Sequence, residues 1–358
     1  MQDQLRDFIS RRVVHPLGGM TLGDWRALLG RHRHGIDRRH RPRALVQAGL
    51  AASNSINPVV ERRAFGGKIE AATVEAPLFV LGHNRGGTTH LHHLLALDPG
   101  RAAPTFYQVL NPHTFLVTER LGAALADRPV IPHRLQDDVQ LGAHVPGEDE
   151  LDLGAMTGLS PCLGWYFPRE RAEYDRSLTF DGMPSPEVAR WGRALTTFLK
   201  KLTVRHGCPL VLKSPPHTAR VRLLLDLFPD ARFVHIHRHP YDVFRSTRHT
   251  IRTVQPAFRF QDAPPPDDES ILRTYTAMYD AYFTQRRLVP AGRLCEVGFD
   301  DLRRNPVGVV GSIYDSLGLP GFAEWRPRLD EYLASVAGFR QNRHDDLPDA
   351  LRRRVAAE

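Results

Sequence analysis

One short segment constrains the fold of this chain more than any other. Residues 78–81, Leu-Phe-Val-Leu, form a continuous apolar run that predicts a buried parallel strand. Gly82 and Gly87 bracket the next four residues, and the apolar residues that follow fall on one face of a helix. A glycine-rich turn between a strand and a helix can surround an anion with backbone N–H groups, and the helix start adds a partial positive charge. The segment therefore predicts a phosphate-binding turn.

The end of this turn differs from that of an ordinary ATP-binding loop. Thr88 and Thr89 stand where such a loop carries Lys followed by Ser or Thr, and the cation is Arg85, inside the turn. The spacing favours phosphate binding, whereas the ending argues against an ordinary ATPase. A glycine turn of this kind can also be a plain connector between a strand and a helix. Other segments of the chain are therefore needed to distinguish a phosphate-binding turn from a connector.

The composition is that of a folded protein and excludes several classes. Of 358 residues, 42% are hydrophobic and 25% are charged, which argues against global disorder. Cys162, Cys208 and Cys295 are widely spaced, so neither a disulfide framework nor a structural zinc site is predicted. No apolar stretch approaches the length of a membrane-spanning helix, and the first residues are too polar for a signal peptide. We therefore expect a cytoplasmic protein.

The net charge of +8 suits an anionic ligand, an acidic membrane surface or a nucleic acid, and does not choose among them. Much of this charge lies in the tract 31–43, which is rich in arginine and histidine and is followed by an apolar helix predicted over 43–53. Such a tract is compatible with peripheral contact at the inner membrane face. The simpler alternative is a solvated face that covers the core.

From residue 186 onward, strands and helices alternate. Apolar runs at 209–213, 232–238 and 293–297 predict strands, and amphipathic patterns between them predict helices. This alternation predicts an α/β fold with one parallel β-sheet flanked by helices in a single domain. The stretch 101–186 is irregular, as expected of insertions that shape a substrate pocket. The proline-rich segment 255–269 is predicted as a mobile loop or lid.

A second polar pair follows the strand at 232–238. Arg238 ends this strand, and Ser246 lies eight residues later, two turns into the predicted helix. A guanidinium fork and a hydroxyl directed to one spot suit a phosphate monoester. Taken alone, a surface arginine and a serine on a helix face would be the simpler interpretation.

Together, these segments resemble the sulfotransferases that use 3′-phosphoadenosine-5′-phosphosulfate (PAPS). The turn resembles their 5′-phosphosulfate loop, with Gly86 at the usual serine position, and Arg238 and Ser246 match their two 3′-phosphate positions. Further segments resemble family patterns: 210–217, 228–233, 297–306 and 313–320. The resemblance divides the chain into a basic helical extension packed on the core (1–75), a sulfotransferase domain (76–345) and a tail (346–358).

The resemblance implies transfer of a sulfuryl group from PAPS to a hydroxyl or amine by in-line displacement. The implied nucleotide-binding residues are Arg85, Gly86, Gly87, Thr88, Thr89, Arg238 and Ser246. Arg85 and Lys213 would neutralise the charge that develops on the leaving oxygen. No metal ion is expected, because the strand at 233–237 carries no Asp to hold magnesium.

A hydroxyl acceptor also needs a general base. Family members use Glu or His, but Gln108 stands where related sequences carry Glu, and a neutral amide is not a useful proton acceptor. We rank Glu148 and Glu150, from an acidic stretch, ahead of His217, which follows Lys213 closely; His113 is a further candidate. Each also has a plain structural interpretation, as a solvated acidic loop or a helix-start histidine.

Two other functions remain open at this point. A nucleotide kinase or NTPase of related fold would need Lys at position 88 and a magnesium-binding Asp, and neither is there. A non-catalytic binder of nucleic acid or membrane surfaces would use the tract 31–43. We favour the enzyme and expect a small-molecule, lipid or glycan acceptor, leaning towards an apolar one, and no nucleic-acid partner.

Overall fold

The computed structural model describes residues 15–31, 35–126, 142–338 and 347–357. The strands of the described chain are β1 (Leu78–Leu81), β2 (Val211–Lys213), β3 (Arg232–His237) and β4 (Leu294–Gly298). Its α-helices are α1 (Leu22–Arg31), α2 (Arg41–Ser53), α3 (Asn57–Ala71), α4 (Thr88–Leu95), α5 (Phe106–Leu110), α6 (Phe115–Ala126), α7 (Asp149–Thr157), α8 (Leu163–Tyr166), α9 (Arg171–Asp175), α10 (Ser185–His206), α11 (Val221–Leu227), α12 (Pro240–Phe258), α13 (Asp268–Gln285), α14 (Phe299–Arg304), α15 (Pro306–Leu317), α16 (Phe322–Ser335) and α17 (Asp349–Ala357).

The chain forms two compact units. The first comprises Met1–Thr73, Pro104–Arg205 and Thr250–Pro265, and the second comprises Val74–Ala103, His206–His249 and Pro266–Glu358. The division predicted from the sequence, into 1–75, 76–345 and 346–358, stays a prediction.

The second unit contains one parallel sheet with the strand order β2-β1-β3-β4. Strand β1 lies at the centre of the first three, with Leu78 opposite Val211 on one side and Arg232 on the other. Because parallel strands end at the same edge, the segments that follow β1, β2 and β3 share that edge. The predicted α/β class, a parallel sheet flanked by helices, is confirmed.

Both faces of the sheet are buried, as expected for a parallel sheet. On one face, Val80 and Val234 pack in a cluster with Leu91 of α4 and Tyr314 of α15. On the other face, the rings of Phe79 and Phe233 stack with centroids 5.8 Å apart. The continuous apolar runs that predicted the strands are therefore the two-sided burial pattern of a central sheet.

The first unit is helical and has its own core. Trp25 of α1 and Ala51 of α2 pack with Tyr166 and Phe167, and Phe260 stacks on Phe167 with centroids 5.3 Å apart. The prediction that 101–186 is irregular is wrong in part, because helices α5 to α9 lie within it. These helices have only four to twelve residues each, too few for a periodic pattern to stand out.

The loop predicted over 255–269 is shorter than expected. Helix α12 continues to Phe258, and α13 already begins at Asp268. The reason at the second boundary is a cap: the Asp267 carboxylate accepts the Ser270 N–H at 2.8 Å and satisfies the start of α13. Within the described ranges, no helix is both long and apolar enough to cross a membrane.

Candidate active site

Two hydrogen bonds donated by backbone N–H groups fix the turn that follows β1. The Gly82 N–H donates to the Thr218 hydroxyl at 2.7 Å, and the Gly86 N–H donates to the His83 carbonyl at 2.9 Å. A Cβ atom at position 86 would lie 2.9 Å from that same carbonyl oxygen. This tight turn explains why glycine occupies the position at which the sulfotransferase pattern usually has serine.

The turn ends in two residues with left-handed backbone conformations. Arg85 has φ +70° and Gly87 has φ +100°. For Arg85 this is an unfavoured conformation that its surroundings must maintain. A Cβ atom at position 87 would overlap the ring of Phe299, at the start of α14. Gly87 is therefore required both by its backbone conformation and by the aromatic ring beside it.

Helix α4 starts directly at the turn. Gly87 is its N-cap and supplies no capping side chain, so the positive end of the helix faces the turn. Thr88, the first residue of the helix, is 3% exposed. The backbone at the start of α4 therefore has the geometry of an anion-binding helix N-terminus.

Three of the predicted site residues form one cluster beside the turn. Arg85 Nε donates to the Ser246 hydroxyl at 2.8 Å, and Arg238 Nη1 lies 3.4 Å from the carbonyl oxygen of Arg85. The guanidinium of Arg238 also lies over the ring of Phe299, 4.8 Å from its centroid. Burial lowers the pKa of Arg238 from its usual value, although Asp242 opposes the shift. The predicted anion-binding residues that follow β1 and β3 therefore contact each other directly.

Asp242 of α12 pairs with two cations, Arg238 and Arg245. Its carboxylate lies 3.5 Å from Arg238 Nη2 and accepts a hydrogen bond from Arg245 at 2.6 Å. Although burial acts to raise the pKa of Asp242, the hydrogen bond from Arg245 and the charge of Arg238 hold that pKa below its usual value. The carboxylate therefore stays ionised and keeps Arg238 at the end of β3.

Lys213 lies on the opposite side of the turn. It ends β2, its side chain is buried, and its Nζ lies 3.4 Å from the Thr89 hydroxyl of α4. Parallel pairing of β1 with β2 sets this position, with Val80 opposite Lys213. The second unit thus gathers Arg85, Gly86, Gly87, Thr88, Thr89, Lys213, Arg238 and Ser246 around one turn.

The three candidates for the general base occupy different environments. His217 belongs to a 3-10 helix, Pro215–Ala219, is fully buried, and packs edge-on against Phe79 with ring centroids 5.5 Å apart. Glu148 and Glu150 belong to the first unit, at the start of α7. Glu150 is 1% exposed, whereas Glu148 is half-buried and makes no capping bond to the helix. His113, the further candidate, lies 3.1 Å from Asp24.

Gln108 has a structural role that the sequence did not reveal. It forms a capping box with Thr105 at the start of α5, and its Nε2 donates to Glu119 of α6 at 2.8 Å. Arg205 also donates to Glu119. Gln108 therefore lies beside a buried carboxylate from a neighbouring helix.

Sequence reasoning missed three residues that shape the site: Thr218, Asp242 and Phe299. Asp242 had a readable signal, since a carboxylate only four residues after Arg238 is within reach of an ion pair with it. Thr218 and Phe299 act through contacts with glycines distant in sequence, and no local pattern predicts such contacts. Among the described residues, no group of three or more His, Cys, Asp and Glu side chains is placed to hold a metal ion.

Comparison with known proteins identifies the class to which this fold and site belong. Residues 77–324 match the model of the sulfotransferase family, and the chain belongs to that family. It is therefore a PAPS-dependent sulfotransferase, which confirms the predicted enzyme class and leaves the kinase and the non-catalytic alternatives without support.

Particular relatives refine the assignment. The chain is 34% identical over 330 residues to the omega-hydroxy-beta-dihydromenaquinone-9 sulfotransferase Stf3 of Mycobacterium bovis and of Mycobacterium tuberculosis, which covers 90% of this chain and 84% of theirs. Sulfotransferase STF1 of Mycobacterium tuberculosis H37Rv superimposes with a TM-score of 0.66 at 18% identity, over 100% of this chain and 99% of STF1. STF9 of Mycobacterium avium gives 0.70 at 22%, over 89% and 84%. These two structures support the fold alone.

Proposed function

We propose that this enzyme moves the sulfuryl group of PAPS to a hydroxyl of an apolar, isoprenoid-quinone-like acceptor. The observation that carries the proposal is the set of contacts around one turn, with Arg85 bonded to Ser246, Arg238 at the Arg85 carbonyl, and Lys213 at Thr89. A nucleotide with phosphate groups at both ends of its ribose needs two such anion sites within its own length.

Each of the two anion sites, one for the 3′-phosphate and one for the 5′-phosphosulfate, has its own cations. Arg238 and Ser246 would take the 3′-phosphate, and the side chain of Arg85 points to this same end, because its Nε donates to Ser246. The backbone of Arg85 to Thr89 and the start of α4 would hold the 5′-phosphosulfate. Lys213, on the far side of the turn beside Thr89, is then the cation best placed for the sulfuryl end.

Chemistry at this end is a displacement at sulfur. The acceptor oxygen forms a bond to sulfur while the bond from sulfur to the 5′-phosphate oxygen breaks, and 3′-phosphoadenosine-5′-phosphate leaves. Lys213 and the turn N–H groups would stabilise the negative charge on the leaving oxygen. The acceptor proton passes to a general base, and no redox step is involved.

Accessibility favours Glu148 as that base. His217 is enclosed against Phe79, and Glu150 is buried in the first turn of α7, whereas Glu148 is half-buried. We expect Glu148→Gln to lower the rate of transfer to a soluble phenol by about 100-fold or more while binding of the desulfated nucleotide is retained. Equal rates for wild type, Glu148→Gln, Glu150→Gln and His217→Ala would refute a base among the three.

The acceptor class is proposed from the relatives of 34% identity, whose name specifies an omega-hydroxylated dihydromenaquinone. The test supplies sulfur-labelled PAPS with matched lipid quinols that carry or lack the terminal hydroxyl. We expect label in the lipid only when the hydroxyl is present. Transfer to a soluble phenol but to neither quinol would refute the lipid acceptor and leave a small molecule or a glycan.

A further inference from the structure

The exposed apolar side chains of this protein are concentrated on one pair of helices. In the part of the chain that the structure describes, seven large hydrophobic side chains are exposed, and five of them lie on α2, α3 and the turn between them: Leu45 (73% exposed), Val46 (39%), Ile56 (70%), Val59 (53%) and Val60 (51%). We call this the α2–α3 surface. Single exposed hydrophobic residues are normal, whereas a concentration of them in one short segment, here residues 45–60, indicates an interaction site.

Leu45, Gly49 and Ala52 recur every three or four residues along one exposed stripe of α2, and Ile56 lies exposed in the turn that follows. The opposite side of α2 is anchored in the core of the first unit through Ala51. Helix α3 is anchored by Glu61, which is buried and paired with Lys201. The fold therefore holds the outward-facing apolar stripe in place.

The charge of the same segment is predominantly positive. Between residues 38 and 71 the exposed charged side chains are one carboxylate, Glu70, and six cations: Arg38, Arg39, Arg41, Arg62, Arg63 and Lys68. The second carboxylate in that range, Glu61, is 4% exposed and ion-paired. Apolar side chains flanked by an excess of cations suit an anionic lipid surface.

A small cationic groove adjoins the start of α2. It has a volume of about 290 Å³ and is lined by Arg39, His40, Pro42, Arg43, Pro256 and Arg259. Asp262 pairs with three of these lining residues, Arg39, His40 and Arg259. The lining itself carries three guanidinium groups and no carboxylate, which suits a phosphate group.

We propose that the α2–α3 surface docks this enzyme on an anionic phospholipid bilayer. The side chains of Leu45, Ile56 and Val59 enter the boundary between headgroups and acyl chains, the surrounding arginines contact lipid phosphates, and the groove takes one headgroup phosphate. This proposal adds to the proposed function that an apolar acceptor is taken from the bilayer. Docking itself is inferred only from the α2–α3 surface and does not depend on the proposed acceptor.

A bilayer accounts for this surface better than a macromolecular partner does. Nucleic acid would use the cations but leaves Leu45, Ile56 and Val59 in water without gain. A second copy of the chain in a symmetric pair would bring arginines against arginines, because a two-fold interface joins the same surface to itself.

The test is co-sedimentation of the full chain with vesicles, comparing phosphatidylcholine with phosphatidylcholine mixed with phosphatidylglycerol. One variant combines Leu45→Ser, Ile56→Ser and Val59→Ser, and a second combines Arg41→Gln, Arg62→Gln and Arg63→Gln. The matched controls are Leu288→Ser, exposed elsewhere, and the pair Arg326→Gln with Arg328→Gln on α16. Since all of these side chains are exposed, each variant should melt at the wild-type temperature.

We expect wild type and both controls to sediment with anionic vesicles and not with phosphatidylcholine alone. The serine variant should bind at least about tenfold more weakly, because it loses inserted apolar surface. Each arginine removed should weaken binding by about fivefold. Transfer to a soluble phenol should stay at the wild-type rate in all variants, so that failure of docking and failure of the proposed function are distinguishable.

Three results would overturn the proposal. The first is wild type that stays in the supernatant with anionic vesicles. The second is a serine variant that sediments like wild type while the glutamine variant does not, which would show that the contact is electrostatic alone and that no apolar side chain is inserted. The third is a change in the oligomeric state of the serine variant without vesicles, which would identify the surface as a contact between copies.

Discussion

Arg85 illustrates how much of the site a single residue can determine. Its left-handed backbone forms the turn, its carbonyl lies beside Arg238, and its Nε donates to Ser246. The sequence indicated that Arg85 belongs to a phosphate turn, because the glycine spacing is local. The charge-neutralising role of Arg85 at the sulfuryl end stays a prediction. The hydrogen bond to Ser246 was not predictable, because a local pattern does not encode contacts between residues that follow different strands.

Gly87 is the residue where substitution tests the turn most sharply. We expect Gly87→Ala to weaken binding of the desulfated nucleotide and to lower the melting temperature, because the added Cβ overlaps Phe299 and the residue has φ +100°. Gly292→Ala is the matched control, with φ +75° and open space around the added atom. It should cost only the backbone strain, about 1 kcal/mol, and bind the nucleotide normally. Calorimetry on both variants checks this, and equal behaviour of the two would contradict it.

The hydroxyl of Thr218, in the 3-10 helix that follows β2, supports the turn that follows β1. Thr218→Val leaves the buried Gly82 N–H without its acceptor at 2.7 Å, which should cost about 1–3 kcal/mol in the free energy of unfolding. Thr218→Ser keeps the hydroxyl and should stay near wild type. Urea denaturation of both variants measures this difference. If Thr218→Val and Thr218→Ser lower the free energy of unfolding equally, the loss comes from packing, and the hydrogen bond to Gly82 does not contribute.

At the level of elements, the sequence predicted the strands because a central sheet buries both faces of each one. The strands at 78–81 and 232–237 lie where apolar runs indicated them. Helix α3 was missed for a physical reason. It exposes Val59 and Val60 and buries Glu61, the reverse of the pattern by which an amphipathic helix is found.

The buried ion pair of Glu61 with Lys201 joins α3 to α10. The two residues are 4% and 3% exposed, and burial shifts both towards neutrality, raising the pKa of Glu61 and lowering that of Lys201. We expect Lys201→Met to cost about 3–5 kcal/mol, because it leaves a buried carboxylate without its partner. Combining it with Glu61→Leu should recover much of that loss. Chemical denaturation measures both, and a double variant no more stable than the single one would contradict this account.

At the scale of the whole molecule, the α/β class was predictable, but the strand order β2-β1-β3-β4 was not. Alternating strands and helices specify a parallel sheet, whereas the neighbour of each strand depends on contacts between distant segments. The same limit applies to the general base. Glu148 and the turn at 82–89 lie in different units, and sequence spacing carries no distance between such residues.

Buried histidines should make the whole protein sensitive to acid. Burial lowers the pKa of His83 and of His235 from 6.5 to about 4, and that of His15 to about 3. As the pH falls from 6.5 towards 4, the unfolded chain takes up these protons before the folded one, so stability is lost by on the order of 1 kcal/mol per pH unit and histidine.

Melting temperatures across that pH range test this expectation. His235→Phe should reduce the slope, because phenylalanine cannot be protonated and can keep the stacking on Tyr282, where the ring centroids are 4.1 Å apart. An identical slope in wild type and His235→Phe would show that His235 does not contribute.

The central claim is that Arg238 and Ser246 bind one end of the nucleotide whose other end lies in the turn at 82–89. Calorimetric titration with 3′-phosphoadenosine-5′-phosphate tests it most directly, with Ser312→Ala, an exposed serine on α15, as control. The account predicts affinity about 10- to 100-fold weaker for Arg238→Ala, a smaller loss for Ser246→Ala, and none for the control. Wild-type affinity in both Arg238→Ala and Ser246→Ala would contradict it.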